Sequence, residues 1–400
     1  MTETWALAAL WLGLALFAGL VSIWLRIATA LTEIVIGIVA GAAIGTAFLG
    51  VDQEWIKFLA GAGAIILTFL AGAELDPEVF RRKWKEATAI GLISFSAPFL
   101  GCAAAAHWLL GWNPDASWLA GVAMSTTSVA VVYAVMIEFG FNTTDYGKTV
   151  LAACFITDLG TVVALGLLFA PFTLKTLLFV GALALVSLAV PWLTPRFFKR
   201  YGARASELET KYLLVFLFGL GALAAWADSE AVLPAYVLGM MLAGSVGRDH
   251  VLVRRLRTLC FGLLTPFFFI RAGSFVSLPA LIAAPAAFLL MLVVKVATKV
   301  IGVYPVTQAF RSPRKEGMYT TLLMSTGLTF GTISSLFGLA KGIVDPSQYS
   351  ALVAAVIASA VIPTLIANAW FMPRHLLPKA EAVKGAETVA VTQSGSTKRS

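Results

Sequence analysis

The sequence predicts an all-α polytopic membrane protein with thirteen transmembrane helices. Hydrophobic residues make up 59% of the 400 residues and charged residues only 12%, and the mean hydropathy is +0.88. Soluble domains contain about 25% charged residues, so this composition is typical of a chain whose solvent is lipid. The net charge is +8, but the basic residues lie in short loops between apolar stretches, a pattern of membrane topology and not of nucleic-acid binding.

The predicted spans are apolar segments that approach the length of about 20 residues needed to cross a bilayer. Thirteen spans divide into two six-helix repeats joined by a linker helix. A weak internal repeat supports this division, because Met124-Ser125-Thr126 recurs as Met324-Ser325-Thr326. A single linking helix leaves the second repeat inverted, as in many transporters. The spans are 4–25, 30–50, 56–74, 88–110, 117–139, 147–170, 174–194, 211–227, 231–246, 258–272, 277–304, 317–340 and 349–372.

Lys and Arg residues crowd one of the two sets of loops that alternate across the membrane. One set contains twenty of these residues, while the other contains Lys57, Lys175 and Lys341. Because cytoplasmic loops carry the excess of Lys and Arg, we expect an outer N-terminus and a cytoplasmic C-terminus in a bacterial inner membrane. The tail from about Glu381 lacks an apolar pattern and is predicted to be largely disordered.

Two predicted spans contain polar stretches at membrane depth. The fifth reads MSTTSVAVV and the twelfth MSTGLTFGTISS, where glycines also weaken the helix. We interpret them as two crossed discontinuous helices, whose freed carbonyls and half-helix ends meet at the midplane. The alternative is packing of small residues, with each hydroxyl bonded to a carbonyl of its own helix. The residues predicted at the crossing are Ser125, Thr126, Ser325, Thr326 and Gly327.

Asp158, in LAACFITDLGTVVALG, lies eleven residues into the sixth predicted span and close to the bilayer centre. A charge at this depth costs at least about 2.5–3.5 kcal/mol, so a functional role is the default interpretation. Burial disfavours the ionised carboxyl group, so the same oxygens can hold either H+ or a cation. We therefore predict a monovalent metal cation at Asp158, with Thr157, Thr127 and Ser128 as further ligands beside water. A buried structural aspartate is the alternative.

Lys295 and Lys299 lie one turn apart on one face of the eleventh predicted span. Either can be the counter-charge to Asp158, although Lys299 can also snorkel towards the cytoplasmic surface. The other acids near the spans lie at span ends, where a solvated cap is the simplest interpretation. These acids are Glu33, Glu74, Asp76, Glu138 and Asp228.

These residues together resemble the monovalent cation/proton antiporter-2 family, the branch with the Kef-type and NapA-type bacterial exchangers. The resemblance covers roughly residues 25–373. It rests on FLAGAELDPEVFRRKWK, the STTS and STGLTFGTI breaks, ITDLG around Asp158, and Lys299 at 26 residues before Ser325. Two positions depart from the pattern. Thr157 replaces the first of two acids in electrogenic members, and Leu328 with Thr329 replaces an acid often found in the twelfth helix.

The resemblance implies that Asp158 binds both the cation and the proton, and that Lys299, or alternatively Lys295, is the functional lysine. It also implies a homodimer that works by an elevator-like motion, and no cofactor is expected. The implied domains are a dimerisation domain of residues 1–87 and 211–276, a core ion-transport domain of residues 88–170 and 277–373, a linker helix and cytoplasmic loop of residues 171–210, and a cytoplasmic tail of residues 374–400.

The predicted function is secondary active exchange of Na+, or else K+, for H+. With Thr157 in place of an acid, a one-for-one electroneutral exchange is expected. The alternative is a gated cation channel or K+ efflux pore on the same scaffold, which would move cations without protons. An enzyme is not expected, since an intramembrane aspartyl protease needs paired acids at membrane depth and the sequence offers one. The expected partners are these ions, the lipid bilayer and a second copy of the chain, without nucleic acid.

Overall fold

The described residues of the chain are helical almost throughout. The structure, a computed structural model, describes residues 2–25, 29–73, 77–141, 144–169, 173–202, 206–227, 229, 231–247, 249–283, 285–310 and 312–376, and no strand occurs in these ranges. This follows from the apolar segments, because a helix pairs its own backbone groups where lipid offers no hydrogen bonds. The acids Glu74, Asp76 and Asp228 and the tail from residue 377 lie outside these ranges, as does the side chain of Glu138.

The helices are numbered α1 to α18 in chain order. Their bounds are α1 Thr2–Leu25, α2 Thr29–Ala43, α3 Thr46–Leu49, α4 Glu54–Ala73, α5 Pro77–Trp108, α6 Pro114–Ser125, α7 Val129–Glu138, α8 Asp145–Phe169, α9 Leu174–Tyr201, α10 Leu208–Trp226, α11 Val232–Leu242, α12 His250–Leu259, α13 Thr265–Ser274, α14 Leu278–Ala283, α15 Pro285–Ala309, α16 Arg314–Met324, α17 Thr329–Ala340 and α18 Pro346–Ile366. Two π-helical segments, Cys260–Leu264 and Ala367–Phe371, follow α12 and α18.

Ten helical segments in the described ranges are long and apolar enough to cross a membrane. Two shorter apolar helices, α2 and α11, coincide with the second and ninth predicted spans. The second span is shorter than predicted, because α2 ends before Gly45, whose φ of 89° favours glycine, and α3 then begins. The fifth predicted span is divided between α6 and α7. The total of thirteen spans and the inverted repeat stay predictions.

Several helices begin at side chains that cap the backbone. Asn113 accepts a hydrogen bond of 2.8 Å from the Ala116 amide at the start of α6, where Pro114 follows. Asp345 accepts from two amides at the start of α18 and forms a capping box with Gln348. Such caps pair amides that the first turn of a helix leaves free. They therefore define where α6 and α18 begin.

The helices pack mainly in two sets. The first helix set consists of α1, α2, α4 and α10–α13, and the second helix set consists of α5–α8 and α15–α18. Glycines allow the close approaches, as is common between transmembrane helices. In the first helix set, a Cβ on Gly273 of α13 would collide with the backbone of α2. In the second, a Cβ on Gly121 of α6 would collide with the Phe99 carbonyl of α5. The helix α9 contacts α10 and α11.

The three cysteines, Cys102, Cys154 and Cys260, are free and buried. Cys102 and Cys154 belong to the second helix set, and Cys260 opens the π-helical segment before α13. The interior that surrounds them is made mainly of aliphatic and aromatic side chains. The polar residues that form the candidate site are an exception within this apolar interior.

Candidate functional site

Two helices of the second helix set are interrupted at the centre of the protein. The helix α6 ends at Ser125 and α7 begins at Val129, while α16 ends at Met324 and α17 begins at Thr329. The two breaks touch, because the backbone amide of Ser128 donates a hydrogen bond of 3.1 Å to the Thr326 carbonyl. Both predicted interruptions are therefore present, and they contact each other; this contact is called the crossing below.

A side chain also joins the two breaks. The Thr127 hydroxyl donates a hydrogen bond of 2.8 Å to the Met324 carbonyl at the end of α16. The Ser128 hydroxyl instead accepts from the Val131 amide at 3.4 Å and so caps the start of α7. Thr127 therefore holds the crossing together, and Ser128 begins the second half-helix.

The remaining hydroxyls of the crossing bond to their own half-helices, as the small-residue alternative expects. Ser125 and Thr126 donate to carbonyls of α6, and Ser325 and Thr326 donate to carbonyls of α16. The two interpretations are thus both correct in part. The helices are broken, and most of the hydroxyls near the breaks serve to pair carbonyls within each half-helix.

Asp158 lies in α8 beside this crossing, with 2% of its surface exposed. Its Oδ1 atom has no hydrogen-bond partner among the described residues. The backbone amide of Thr127 and the side chains of Lys299 and Lys295 lie close enough to act on this carboxyl group. A buried carboxylate oxygen without a partner is costly, and it is available for a proton or for a cation.

Thr157, the residue before Asp158, is directed away from the crossing. Its hydroxyl lies 3.1 Å from the Gly91 carbonyl of α5 and 3.1 Å from the Ala153 carbonyl of α8. At this level α5 and α8 touch closely, since a Cβ on Gly91 would lie 2.8 Å from the Ala153 carbonyl. The structure therefore brings Asp158, Thr127 and Ser128 together at the crossing and places the Thr157 hydroxyl against α5.

Lys299 is fully buried in α15, and its Nζ atom contacts three acceptors. It donates to Ser94 Oγ at 2.7 Å, to the Ser125 carbonyl at 3.0 Å and to Thr127 Oγ1 at 3.0 Å. The Ser125 carbonyl lies at the end of α6, where the helix dipole favours a positive charge. No ion pair joins Lys299 to Asp158 among the described residues, so the role of Lys299 as a counter-charge stays a prediction.

Lys295, one turn earlier in α15, is also fully buried, but its Nζ atom has no hydrogen-bond partner among the described side chains and backbone. This atom lies against Gly327 in the second break, since a Cβ on Gly327 would collide with it. Thr126 Oγ1 and Ser359 Oγ border the same space. Both lysines therefore face the crossing, in different hydrogen-bonding environments.

Two residues at the site were not predicted from the sequence. Ser94 of α5 is fully buried and accepts a hydrogen bond from Lys299. Tyr236 of α11 is fully buried and donates a hydrogen bond of 3.0 Å to the Phe155 carbonyl, one turn before Asp158. Each is a lone polar side chain in an apolar span, which is a weak signal that a search for polar runs does not detect.

Glu33 corrects one prediction. It was expected to be a solvated cap, but only 3% of its surface is exposed in α2. The reason is the close packing of α2 against α13, where a Cβ on Gly37 would collide with the Ile270 backbone. The Glu33 carboxyl also lies near the Cys260 thiol of the π-helical segment. Sequence position at a span end did not reveal that another helix covers it.

Comparisons with known proteins agree with the fold and with the resemblance. A family described as sodium/hydrogen exchanger, transmembrane, matches residues 12–372. The solved structure of the sodium proton antiporter MjNhaP1 from Methanocaldococcus jannaschii at pH 8 has a TM-score of 0.68 at 15% sequence identity. The superposition covers 92% of this chain and 96% of that one, so the two share a fold.

Curated relatives cover much of the chain as well. The probable Na(+)/H(+) antiporter 3 of Methanocaldococcus jannaschii is 25% identical over 360 residues, which are 86% of this chain and 91% of that protein. The glutathione-regulated potassium-efflux system protein KefC of Salmonella heidelberg is 27% identical over 349 residues. These are 80% of this chain but only 53% of KefC, so the match spans about half the length of that relative. By the extent of the family match, this multi-pass membrane chain belongs to the sodium/hydrogen exchanger family.

Proposed function

We propose that the chain is a secondary active antiporter that exchanges a monovalent cation for H+, with Na+ as the main cation and K+ as the alternative. The observation that carries this proposal is the Asp158 carboxyl group. It is buried beside the two interrupted helices, and one of its oxygens has no hydrogen-bond partner among the described residues. The names of the relatives support it, since one is a probable Na+/H+ antiporter and another a potassium-efflux system protein.

The exchange depends on competition for negative charge at Asp158. A cation needs the ionised carboxylate, whereas a proton at the site reduces the negative charge that holds the cation. One ion therefore leaves when the other arrives. We propose Asp158, Thr127 and Ser128 as ligands, together with water and break carbonyls. Thr157 suits this role least, because its hydroxyl lies against the Gly91 carbonyl.

Alternating access requires one part of the protein to move against another. We propose that the core ion-transport domain, residues 88–170 and 277–373, moves relative to a dimerisation domain of residues 1–87 and 211–276. The packing of the helices in two sets supports this division. A homodimer held by the dimerisation domain would keep that domain still while the core moves as an elevator.

The ratio of ions and the orientation also belong to this proposal. Asp158 is the buried acid beside the crossing, and Thr157 stands where a second acid would add a charge. We therefore propose exchange of one cation for one H+, without net charge transfer. The excess of Lys and Arg in one set of loops supports an outer N-terminus and a cytoplasmic C-terminus in a bacterial inner membrane.

Asp158→Asn tests the proposal directly. The amide keeps the shape of the side chain but lacks the negative charge that the cation needs, so we expect exchange to fall to the level of empty vesicles. The measurement is the fluorescence of a pH dye in proteoliposomes after addition of Na+, K+ or Li+. Asp145→Asn is the matched control, because Asp145 lies at the exposed start of the same helix and pairs with Arg82. Exchange by Asp158→Asn at the Asp145→Asn rate would refute the proposal.

The alternative function is a gated cation channel or K+ efflux pore, for which the name of KefC is the reason. The same proteoliposomes distinguish a channel from an antiporter. A channel would dissipate a K+ gradient while the internal pH stayed constant, if the potential is clamped. An antiporter would change the internal pH whenever the cation moves.

A further inference from the structure

The two buried lysines of α15 differ in one physical respect, which is how many acceptors surround each nitrogen. An ammonium group has three N–H donors and needs three acceptors when it is buried. Lys299 has three, at 2.7, 3.0 and 3.0 Å. Lys295 has none among the described residues. The protein therefore provides a site for a permanent cation at Lys299 and no such site at Lys295.

The acceptors of Lys299 are themselves fixed. The Ser125 carbonyl ends α6, and Thr127 Oγ1 can accept from Lys299 because its own proton goes to the Met324 carbonyl. Removing the charge from Lys299 would leave the end of α6 without a cation and would break three hydrogen bonds. Lys299 thus completes the crossing as a fixed ammonium group.

Two hydroxyls border the space of the Lys295 nitrogen, but neither of them accepts a hydrogen bond from it. Thr126 Oγ1 donates to the Ala123 carbonyl at 3.2 Å, and Ser359 Oγ donates to the Val356 carbonyl at 2.8 Å. The ionisable groups that act on Lys295 from the neighbouring helices are Cys102 of α5 and Asp158 of α8, and Lys299 lies one turn away in the same helix. Only Asp158 among them can offer a full negative charge beside a fixed positive one.

Charge balance then links Lys295 to the cation. Lys295, Lys299 and Asp158 form a cluster of three ionisable side chains. With Lys299 charged and Asp158 ionised, this cluster is neutral if Lys295 is an amine and carries one positive charge if Lys295 is an ammonium. A cation at Asp158 also adds one positive charge. Two such charges in an apolar interior repel each other strongly, so a proton on Lys295 and a cation at Asp158 exclude each other.

We infer that Lys295 carries the proton that is exchanged for the cation, while Lys299 is a positioning residue that holds the crossing and keeps its charge. In each cycle one H+ leaves the Lys295 ammonium as one cation binds the Asp158 carboxylate, and the reverse happens on the other side of the membrane. The charge of the cluster stays at one, so the exchange is one for one. This inference rests on the proposed antiport and names its proton carrier.

The test is Lys295→Met, which keeps an unbranched side chain one atom shorter and removes the titratable amine. Without a proton at position 295, the cluster is neutral after the cation leaves, and it returns across the membrane without an ion. The variant should therefore carry the cation without moving H+ in the opposite direction. We expect 22Na+ exchange against internal Na+ within about threefold of the wild type, and Na+ uptake driven by a pH gradient to fall about tenfold. An inside-negative potential set with K+ and valinomycin should then drive Na+ uptake in this variant without a change of internal pH.

Lys299→Met is the matched contrast. It removes three hydrogen bonds from the crossing, so we expect it to lose Na+ self-exchange as well as proton-driven uptake. Lys295→Met that retains pH-driven exchange at the wild-type rate would overturn the inference and leave the proposed antiport intact. A wild-type protein without any cation-driven pH change would instead overturn the proposed function.

A second variant covers the case in which Lys295→Met fails to fold, as judged by size-exclusion chromatography. Gly327→Ala adds a methyl group that would collide with the Lys295 nitrogen and lie 2.7 Å from Thr126 Oγ1. It should displace the nitrogen and lower pH-driven uptake more than Na+ self-exchange. Equal losses of both activities would contradict a proton role for Lys295.

Discussion

Asp158 and Lys295 are the two ionisable residues with a buried, unpartnered side-chain atom in the described part of the chain. The others with such an atom are neutral hydroxyl or amide side chains. An unpaired buried ionisable group costs more free energy than a hydroxyl, and natural proteins keep such groups mainly where they act. Their position beside one crossing of broken helices, where each acts on the other electrostatically, gives a physical reason to treat them as one functional unit.

Thr127 should matter through its hydroxyl, which both donates to the crossing and accepts from Lys299. We expect Thr127→Val to raise the apparent KM for the cation severalfold and to lower the free energy of unfolding by about 1–3 kcal/mol, because two buried partners lose their hydrogen bond. Thr127→Ser keeps the hydroxyl and should stay near the wild type. Transport assays and unfolding in detergent measure the two effects, and wild-type values for Thr127→Val would show that this hydroxyl is dispensable.

Which residues carry charge at membrane depth could be predicted from the sequence, because charge is rare there. Asp158, Lys295 and Lys299 were all identified in this way. The direction of each side chain could not be predicted, since the rotation of α8 decides that Asp158 meets the crossing while Thr157 meets α5. The burial of Glu33 depends on contacts with a helix more than 200 residues away, which no local pattern contains.

At the scale of the helices, the breaks in α6–α7 and α16–α17 are the main feature. Both were predicted from runs of hydroxyl residues and glycine, which compete with the helical backbone. The π-helical segment Cys260–Leu264 was not predicted, since its sequence CFGLL has the apolar character of the helices around it. Local chemistry therefore predicts an interruption when it is polar, but not when it arises from packing.

Gly331, in the first turn of α17, should set how closely that half-helix approaches the crossing. A Cβ there would lie 2.7 Å from Val356 Cγ2 and 3.0 Å from the Ala123 carbonyl. We expect Gly331→Ala to destabilise the protein by about 1–3 kcal/mol through overpacking and to reduce exchange. Gly219→Ala is the control, because a Cβ on Gly219 meets nothing within 4 Å. Equal stability of the two variants would show that α17 can shift without harm.

At the scale of the whole molecule, two tyrosines bridge the helix sets. Tyr236 of the first helix set donates to the Phe155 carbonyl of the second at 3.0 Å. Tyr349 of the second helix set donates to the Ala272 carbonyl of the first at 2.6 Å. Both are fully buried. If the sets move against each other, both hydrogen bonds must break in every cycle.

Tyr236→Phe and Tyr349→Phe should therefore change the rate of exchange more than the affinity for the cation. Each removes one hydrogen bond of about 1 kcal/mol that stabilises this conformation, so turnover should rise by up to about fivefold. Tyr319→Phe is the control, since Tyr319 of the second helix set bonds at 3.0 Å to Asn368, in the π-helical segment that follows α18. Turnover that stays unchanged in both bridging variants would show that these bonds persist during transport.

The burial of all three cysteines has a practical consequence. A thiol must be exposed and ionised to react quickly, so Cys102, Cys154 and Cys260 should resist maleimide dyes in the folded protein. Introduced cysteines can then be labelled selectively without first removing the three natural ones. Glu54 in α4 and Lys341 after α17 are both exposed. A variant with both Glu54→Cys and Lys341→Cys would accept a donor and an acceptor fluorophore. Energy transfer between them would follow any displacement of one helix set past the other, molecule by molecule.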